Sequence, residues 1–212
     1  MRRPRSYRGV DAIRNDHRAL GSRIRARLDD FARVSEGEYF YELAYCLLTP
    51  QSSAVNAGAT VERLRSADLL GSDVDPTAAL FSKDHYIRFH NTKARNLLEA
   101  KRNLPAILSA LRAGVPPGEK RTWLVVNVRG LGWKEASHFL RNIGYRNLAI
   151  LDRHILRNLR RHAVIRALPK SLTPRRYMAI EENFRRFAEA IGIPMDELDL
   201  LFWSRETGEI LK

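Results

Sequence analysis

Apolar residues in this chain recur three and four positions apart, and alternation of β-branched residues over more than a few positions is hard to find. A side chain at every third and fourth residue lines one face of a helix, whereas a half-buried strand needs a period of two. The chain therefore reads as all-α. In EGEYFYELAYCLLTPQSS, the residues Phe40, Leu43, Ala44, Leu47 and Leu48 form such a stripe, and Thr49-Pro50 stops it. Ser52 or Ser53 can cap the next helix and Pro76 can open a short one. The spacing predicts further helices over about 91–111 with a break near Pro105, from near Asp152, over about 174–190, and over about 194–204. No repeat of fixed period and no low-complexity tract is present.

The stretch VRGLGWKEASHFLRNIG, from Val128 to Gly144, reads as helix, tight hairpin, helix within a segment of about 117–144. A helix carrying Trp123, Leu124 and Val125 stops at the glycines. A second restarts with Ala136, Phe139, Leu140 and Ile143 on one face and ends at Gly144. Gly130 and Gly132 let the backbone turn tightly and approach a partner, and the N–H groups opening the second helix can hold an anion such as phosphate. A plain connector between two helices would have the same two glycines. Lys134 is more pointed: of 37 basic residues 30 are arginine and 7 lysine, and only a lysine can shed its proton and act as a nucleophile.

The net charge of +13 implies a polyanionic partner, with nucleic acid foremost. One cysteine, Cys46, excludes a disulfide framework and any four-cysteine zinc or iron–sulfur site within the chain. The basic N-terminal residues run into no apolar segment, and no stretch approaches the ~18 apolar residues that cross a bilayer. The expectation is a cytoplasmic protein that meets a nucleic acid and touches no membrane.

Eighteen residues beyond Lys134, AILDRHILRNLRRH places Asp152 at a helix start, with His154 next but one and arginines following. Read alone, Asp152 is a helix N-cap and His154 a structural histidine. The run Val128-Arg129-Gly130-Leu131-Gly132-Trp133-Lys134-Glu135-Ala136, followed by Leu151-Asp152-Arg153-His154, resembles the helix-hairpin-helix and Gly/Pro-Asp elements of the base-excision DNA glycosylases. CLLTPQSSA and FHNTKARNL resemble two further elements of that superfamily, in the same order. Within it the chain is most similar to the archaeal-type (type 2) 8-oxoguanine DNA glycosylase/AP lyases, through ELAYCLLTPQSSA and the ending DLLFWSRETGEILK. The likeness runs from about Glu38 to Lys212. Arg129 stands where many relatives have proline, and the iron–sulfur cysteines of the pyrimidine-specific branch are missing.

The resemblance implies two helical lobes forming one catalytic unit, with the active site in the cleft between them. It implies Lys134 as the nucleophile that forms a Schiff base and Asp152 as its carboxylate partner. An ordinary lysine is protonated at neutral pH, so such a nucleophile needs burial, the positive end of its helix or nearby arginines to release its proton. Lys212 and Trp203 would recognise the oxidised base, with Asp199 one turn earlier as a further hydrogen-bonding candidate. Gln51 would fill the gap left by the expelled base. Gly130, Gly132, Arg129 and Arg153 would hold the DNA backbone, with Arg157, Arg160 and Arg161 extending the footprint. The family often holds a monovalent cation on hairpin carbonyls, here those of Val126, Val128 and Leu131, and no other cofactor is required. The partner is double-stranded DNA carrying an oxidised base, and the protein is a monomer. Two alternatives stay open: a glycosylase for another lesion, and a helix-hairpin-helix module that binds DNA without catalysis.

Overall fold

The computed structural model describes residues 6–210. Eleven α-helices and a short 3-10 turn account for the regular structure of those residues. In chain order they are α1 (Val10–Ala32), α2 (Tyr39–Leu48), α3 (Ala54–Ser66), α4 (Thr77–Leu80), α5 (His90–Arg102), α6 (Leu104–Arg112), α7 (Pro117–Asn127), α8 (Trp133–Asn142), α9 (Arg153–Arg161), α10 (Pro174–Ile191) and α11 (Met195–Thr207). They form two compact units, one spanning Val34–Ile143 and one combining the residues up to Arg33 with those from Gly144 onward.

The unit spanning Val34–Ile143 is built around α2, whose residues from Phe40 to Leu48 are all buried. Helices α3, α5 and α8 pack against it. Thr49 follows the last turn of α2, and its hydroxyl donates to the Cys46 carbonyl at 3.1 Å, satisfying a group that the helix end leaves open. Ser53 caps α3 by accepting the Asn56 N–H at 3.0 Å. The break between α5 and α6 falls at Asn103, before Pro105 rather than at it. Pro105 sits in the first turn of α6, where its missing N–H has no partner to lose.

The other unit packs α11 against α1, α9 and α10. Its longest helix, α1, was not read from the sequence. Ile13, Ile24, Leu28 and Phe31 supply its buried stripe, fewer than one large apolar residue per turn. Its polar face reaches α11 through His17 and Glu197 at 2.6 Å and through Arg205 to Asp16 at 2.7 Å. Phe202 of α11 is fully buried between near-parallel rings of His162 and Phe184, which makes it a core residue. Gly144 takes φ +92°, and a Cβ there would lie 2.9 Å from the Ala32 backbone, so this junction admits only glycine.

Candidate active site

Helix α7 ends at Val128, whose N–H donates to Leu124, and the Leu131 N–H returns to the Val128 carbonyl at 3.2 Å. Gly130 is the third residue of that four-residue turn and takes φ +86°, where a side chain would be strained. A Cβ on it would come 2.2 Å from the Asn96 amide nitrogen of α5. Gly132 is the N-cap of α8 and offers no side-chain cap, so the first turn of α8 opens directly beyond the hairpin. Arg121, fully buried on α7, donates to Ser137 of α8 at 3.2 Å and lies 4.9 Å over the Trp133 ring. Ala136, Phe139 and Leu140 are fully buried, each large side chain contributing about 1.5–3 kcal/mol. The hairpin and both helices are thus fixed from below.

On this base Lys134 occupies the first turn of α8, about one third exposed, with its Nζ 3.0 Å from Glu135 Oε1. Glu135 was not singled out from the sequence, and it is the carboxylate that meets Lys134 within this unit. Arg129 is exposed at the turn and pairs with Glu99 at 3.7 Å. Val126 is exposed, whereas Val128 and Leu131 point their side chains inward.

Gln51 is exposed at the turn between α2 and α3 and takes a left-handed φ of +56°, unusual for a residue with a side chain. Beneath it lies Lys93 of α5, also missed in the sequence reading except as part of FHNTKARNL. It is only 5% exposed, and its ammonium donates to the carbonyls of Leu48 at 2.7 Å and Pro50 at 2.6 Å. Burial pulls its pKa down to about 8; nearby Glu135 acts in the opposite sense and Lys134 in the same one. A buried lysine in a carbonyl cage is not legible in a sequence, because a lone lysine on an amphipathic helix reads as surface.

In the other unit the segment before α9 is pinned residue by residue. The Asn147 N–H donates to Asp196, the Ala149 N–H to Glu181 at 2.8 Å, and the Leu151 N–H to the Tyr177 hydroxyl, which in turn donates to the Ala149 carbonyl. This delivers Asp152 to the N-cap of α9, where Oδ1 accepts the Ile155 N–H at 2.8 Å. Its other oxygen, Oδ2, accepts the indole N–H of Trp203 at 3.0 Å. Two residues singled out separately from sequence, Asp152 and Trp203, are therefore joined directly. Asp199 lies on α11 one turn before Trp203 and is buried. Arg153, Arg157, Arg160 and Arg161 are exposed on α9. His154 lies 3.6 Å from Glu206, consistent with a structural role. Lys212 lies outside the described residues.

Among the described residues no group of three or more His, Cys, Asp or Glu side chains is placed to hold a metal ion, and no helix is long and apolar enough to cross a membrane.

Residues 24–193 match the family model described as 8-oxoguanine DNA glycosylase. The 8-oxoguanine DNA glycosylase/AP lyase of Fusobacterium nucleatum is 40% identical over 210 residues, covering 94% of this chain and 96% of that protein. The protein of the same name from Korarchaeum cryptofilum is 39% identical, covering 96% of this chain and all of its own length. Among solved structures, the 8-oxoguanine DNA glycosylase of Thermotoga maritima superposes with a TM-score of 0.84 at 30% identity, over 96% of this chain and 98% of that one. The Methanocaldococcus jannaschii 8-oxoguanine glycosylase/lyase in complex with DNA containing 8-oxoguanine gives 0.83 at 32% identity, over 96% and 99%.

Proposed function

The chain belongs to the 8-oxoguanine DNA glycosylase family, and on that premise we propose how it acts in base-excision repair: Lys134 is the nucleophile and Asp152 the carboxylate with which it excises 8-oxoguanine from duplex DNA and cleaves the strand. The placement of Lys134 in the first turn of a helix, directly after a glycine hairpin of the shape that grips phosphate, supports this reading most.

The amine of Lys134 attacks C1′ of the damaged nucleotide and gives up a proton as the new C–N bond forms. The glycosidic bond breaks, and its electron pair leaves with the base, which takes up a proton. Positive charge builds on the sugar as this bond lengthens, and the Asp152 carboxylate stabilises it. Opening of the sugar ring converts the aminal to a Schiff base, and loss of a C2′ proton then expels the 3′ phosphate by β-elimination. Trp203 orients Asp152 through its indole N–H and offers a flat face for the expelled base, and Asp199 and Lys212 complete the recognition of that base. Gln51 fills the gap in the duplex. Gly130, Gly132, Arg129 and Arg153 hold the backbone.

The hairpin carbonyls of Val126, Val128 and Leu131 are hard oxygen donors suited to a monovalent cation. The Val128 carbonyl spends one lone pair on the Leu131 N–H and keeps its second. A bound cation would add positive potential for the phosphate. The protein works as a monomer on the DNA of the nucleoid.

Borohydride trapping on a duplex with one 8-oxoguanine tests the reading. The wild type should give a covalent band that Lys134→Gln loses while still binding the duplex. A band that persists in Lys134→Gln would remove Lys134 as nucleophile, and trapping only on an oxidised-pyrimidine duplex would move the substrate.

A further inference from the structure

Lys93 grips the turn that carries Gln51 from both sides. Its ammonium donates to Leu48, the last residue of α2, to Pro50, and at 3.3 Å to the Ser52 hydroxyl, so three acceptors within five residues converge on one cation. The Ser52 hydroxyl also accepts the Arg88 N–H at 3.0 Å, tying the turn to the segment before α5. Gln51, held between these anchors, keeps a left-handed φ of +56° that costs about 1–2 kcal/mol in a free chain. Local backbone strain of this kind persists only where the surroundings over-determine it. An ordinary carbonyl cap would serve the end of α2 without burying a cation below an exposed, strained polar side chain.

We propose that Lys93 is a positioning residue for base expulsion: its buried ammonium clamps the Leu48–Ser52 turn so that the Gln51 side chain is presented to the duplex and holds it open. The proposal rests on the reading of Gln51 as the residue that fills the vacated position. Lys93 does not touch the reacting atoms. Its effect is confined to substrates from which a base must be expelled, and a site that already lacks its base does not need the clamp.

The charges that act on the ammonium are Glu135, which favours it, and Lys134, which disfavours it, both on α8. On the elements packed against α5, Glu42 bonds to Asn142, Tyr45 stacks edge-on against His138, Cys46 is buried in α2, and Arg112 pairs with Glu36. Helix α4 carries no titratable residue. Release of the Lys93 proton near pH 8 removes one of three donated hydrogen bonds and loosens the turn.

Two duplexes separate this role from a merely structural one: one with 8-oxoguanine, scored for base removal after hot alkali, and one with a preformed abasic site, scored for strand cleavage. Lys93→Met should lose about tenfold or more on the first and stay within about threefold on the second. Gln51→Ala should show the same selectivity, and the double variant should be no worse than either single one. Equal losses on both duplexes with thermal unfolding unchanged, or no loss on either, would overturn the proposal. A selective loss in Gln51→Ala without one in Lys93→Met overturns it and leaves the Gln51 reading intact. The reverse pattern shows that Lys93 does not work through Gln51 and overturns it as well. Should Lys93→Met not fold, Lys93→Arg carries the test. The wild-type ratio of excision to abasic-site cleavage should fall above about pH 8, and the arginine variant, always charged, should hold its ratio. Parallel decline in both proteins overturns the clamp.

Discussion

The indole N–H of Trp203 donates to Asp152 Oδ2 at 3.0 Å while Asp152 Oδ1 accepts the Ile155 N–H at 2.8 Å. One carboxylate therefore caps α9 and is steered by an aromatic ring from α11. A carboxylate held from both oxygens has a fixed orientation before substrate arrives, which electrostatic stabilisation of a developing positive charge requires.

Trp203→Phe keeps a smaller aromatic face and deletes the donor. A hydrogen bond to a charged group is worth about 1.5–3 kcal/mol, so single-turnover excision of 8-oxoguanine should fall by about tenfold to a hundredfold with the fold retained. An unchanged rate would show that the Ile155 contact alone orients the carboxylate.

Asp152 carries two roles that substitution can pull apart. Asparagine keeps the cap but has only one acceptor oxygen, so Asp152→Asn gives up the Trp203 bond and should lose about 1–3 kcal/mol of stability and at least about a hundredfold in excision. Asp152→Ala should lose the same activity and about 1 kcal/mol more stability than Asp152→Asn. Urea unfolding beside single-turnover kinetics distinguishes them. Equal stability of the two variants would remove the capping role.

The helices that were legible in the sequence are those whose ends carry their own chemistry: Ser53 and Asp152 as caps, Pro174 in a first turn, Gly144 after a last one. Helix α1 gave no such sign. It starts after Gly9 in a left-handed conformation with no side-chain cap, and Arg14, Arg18, Arg23, Arg25 and Arg27 crowd its narrow apolar stripe. Its partners on α11 lie some 180 residues away. The site divides in the same way. Lys134 and Asp152 stand out because a local motif surrounds each one, and Gln51 through the likeness of CLLTPQSSA to a family element. Lys93 depends on carbonyls more than 40 residues earlier, and the Trp203–Asp152 bond joins residues 51 apart, so neither exists until the chain has folded.

Gly130→Ala tests the hairpin. The substitution forces a side chain into φ +86° and sets its Cβ 2.2 Å from the Asn96 amide. Stability should fall by about 1–3 kcal/mol, and affinity for undamaged duplex should fall with it as the amide groups of the turn shift. Adding Asn96→Ala removes the clash but not the backbone strain, so thermal unfolding should recover only in part. Full recovery would mean that the positive φ costs nothing here.

Lys93 also leaves a signature in stability against pH. Its pKa is about 8 in the folded protein and 10.5 in an ordinary lysine, so below about pH 8 both folded and unfolded chains carry the proton. Between those values the unfolded chain binds more protons than the folded one, and stability attributable to this group must rise with pH. Above the upper value the gain is complete. Wild type measured against Lys93→Met by urea unfolding should therefore gain stability between about pH 7.5 and pH 10, whatever the difference at the lower pH. Subtracting the variant cancels the titration of groups common to both proteins. A difference that shrinks as pH rises would mean that the carbonyls of Leu48 and Pro50 hold the proton on Lys93 more strongly than burial drives it off.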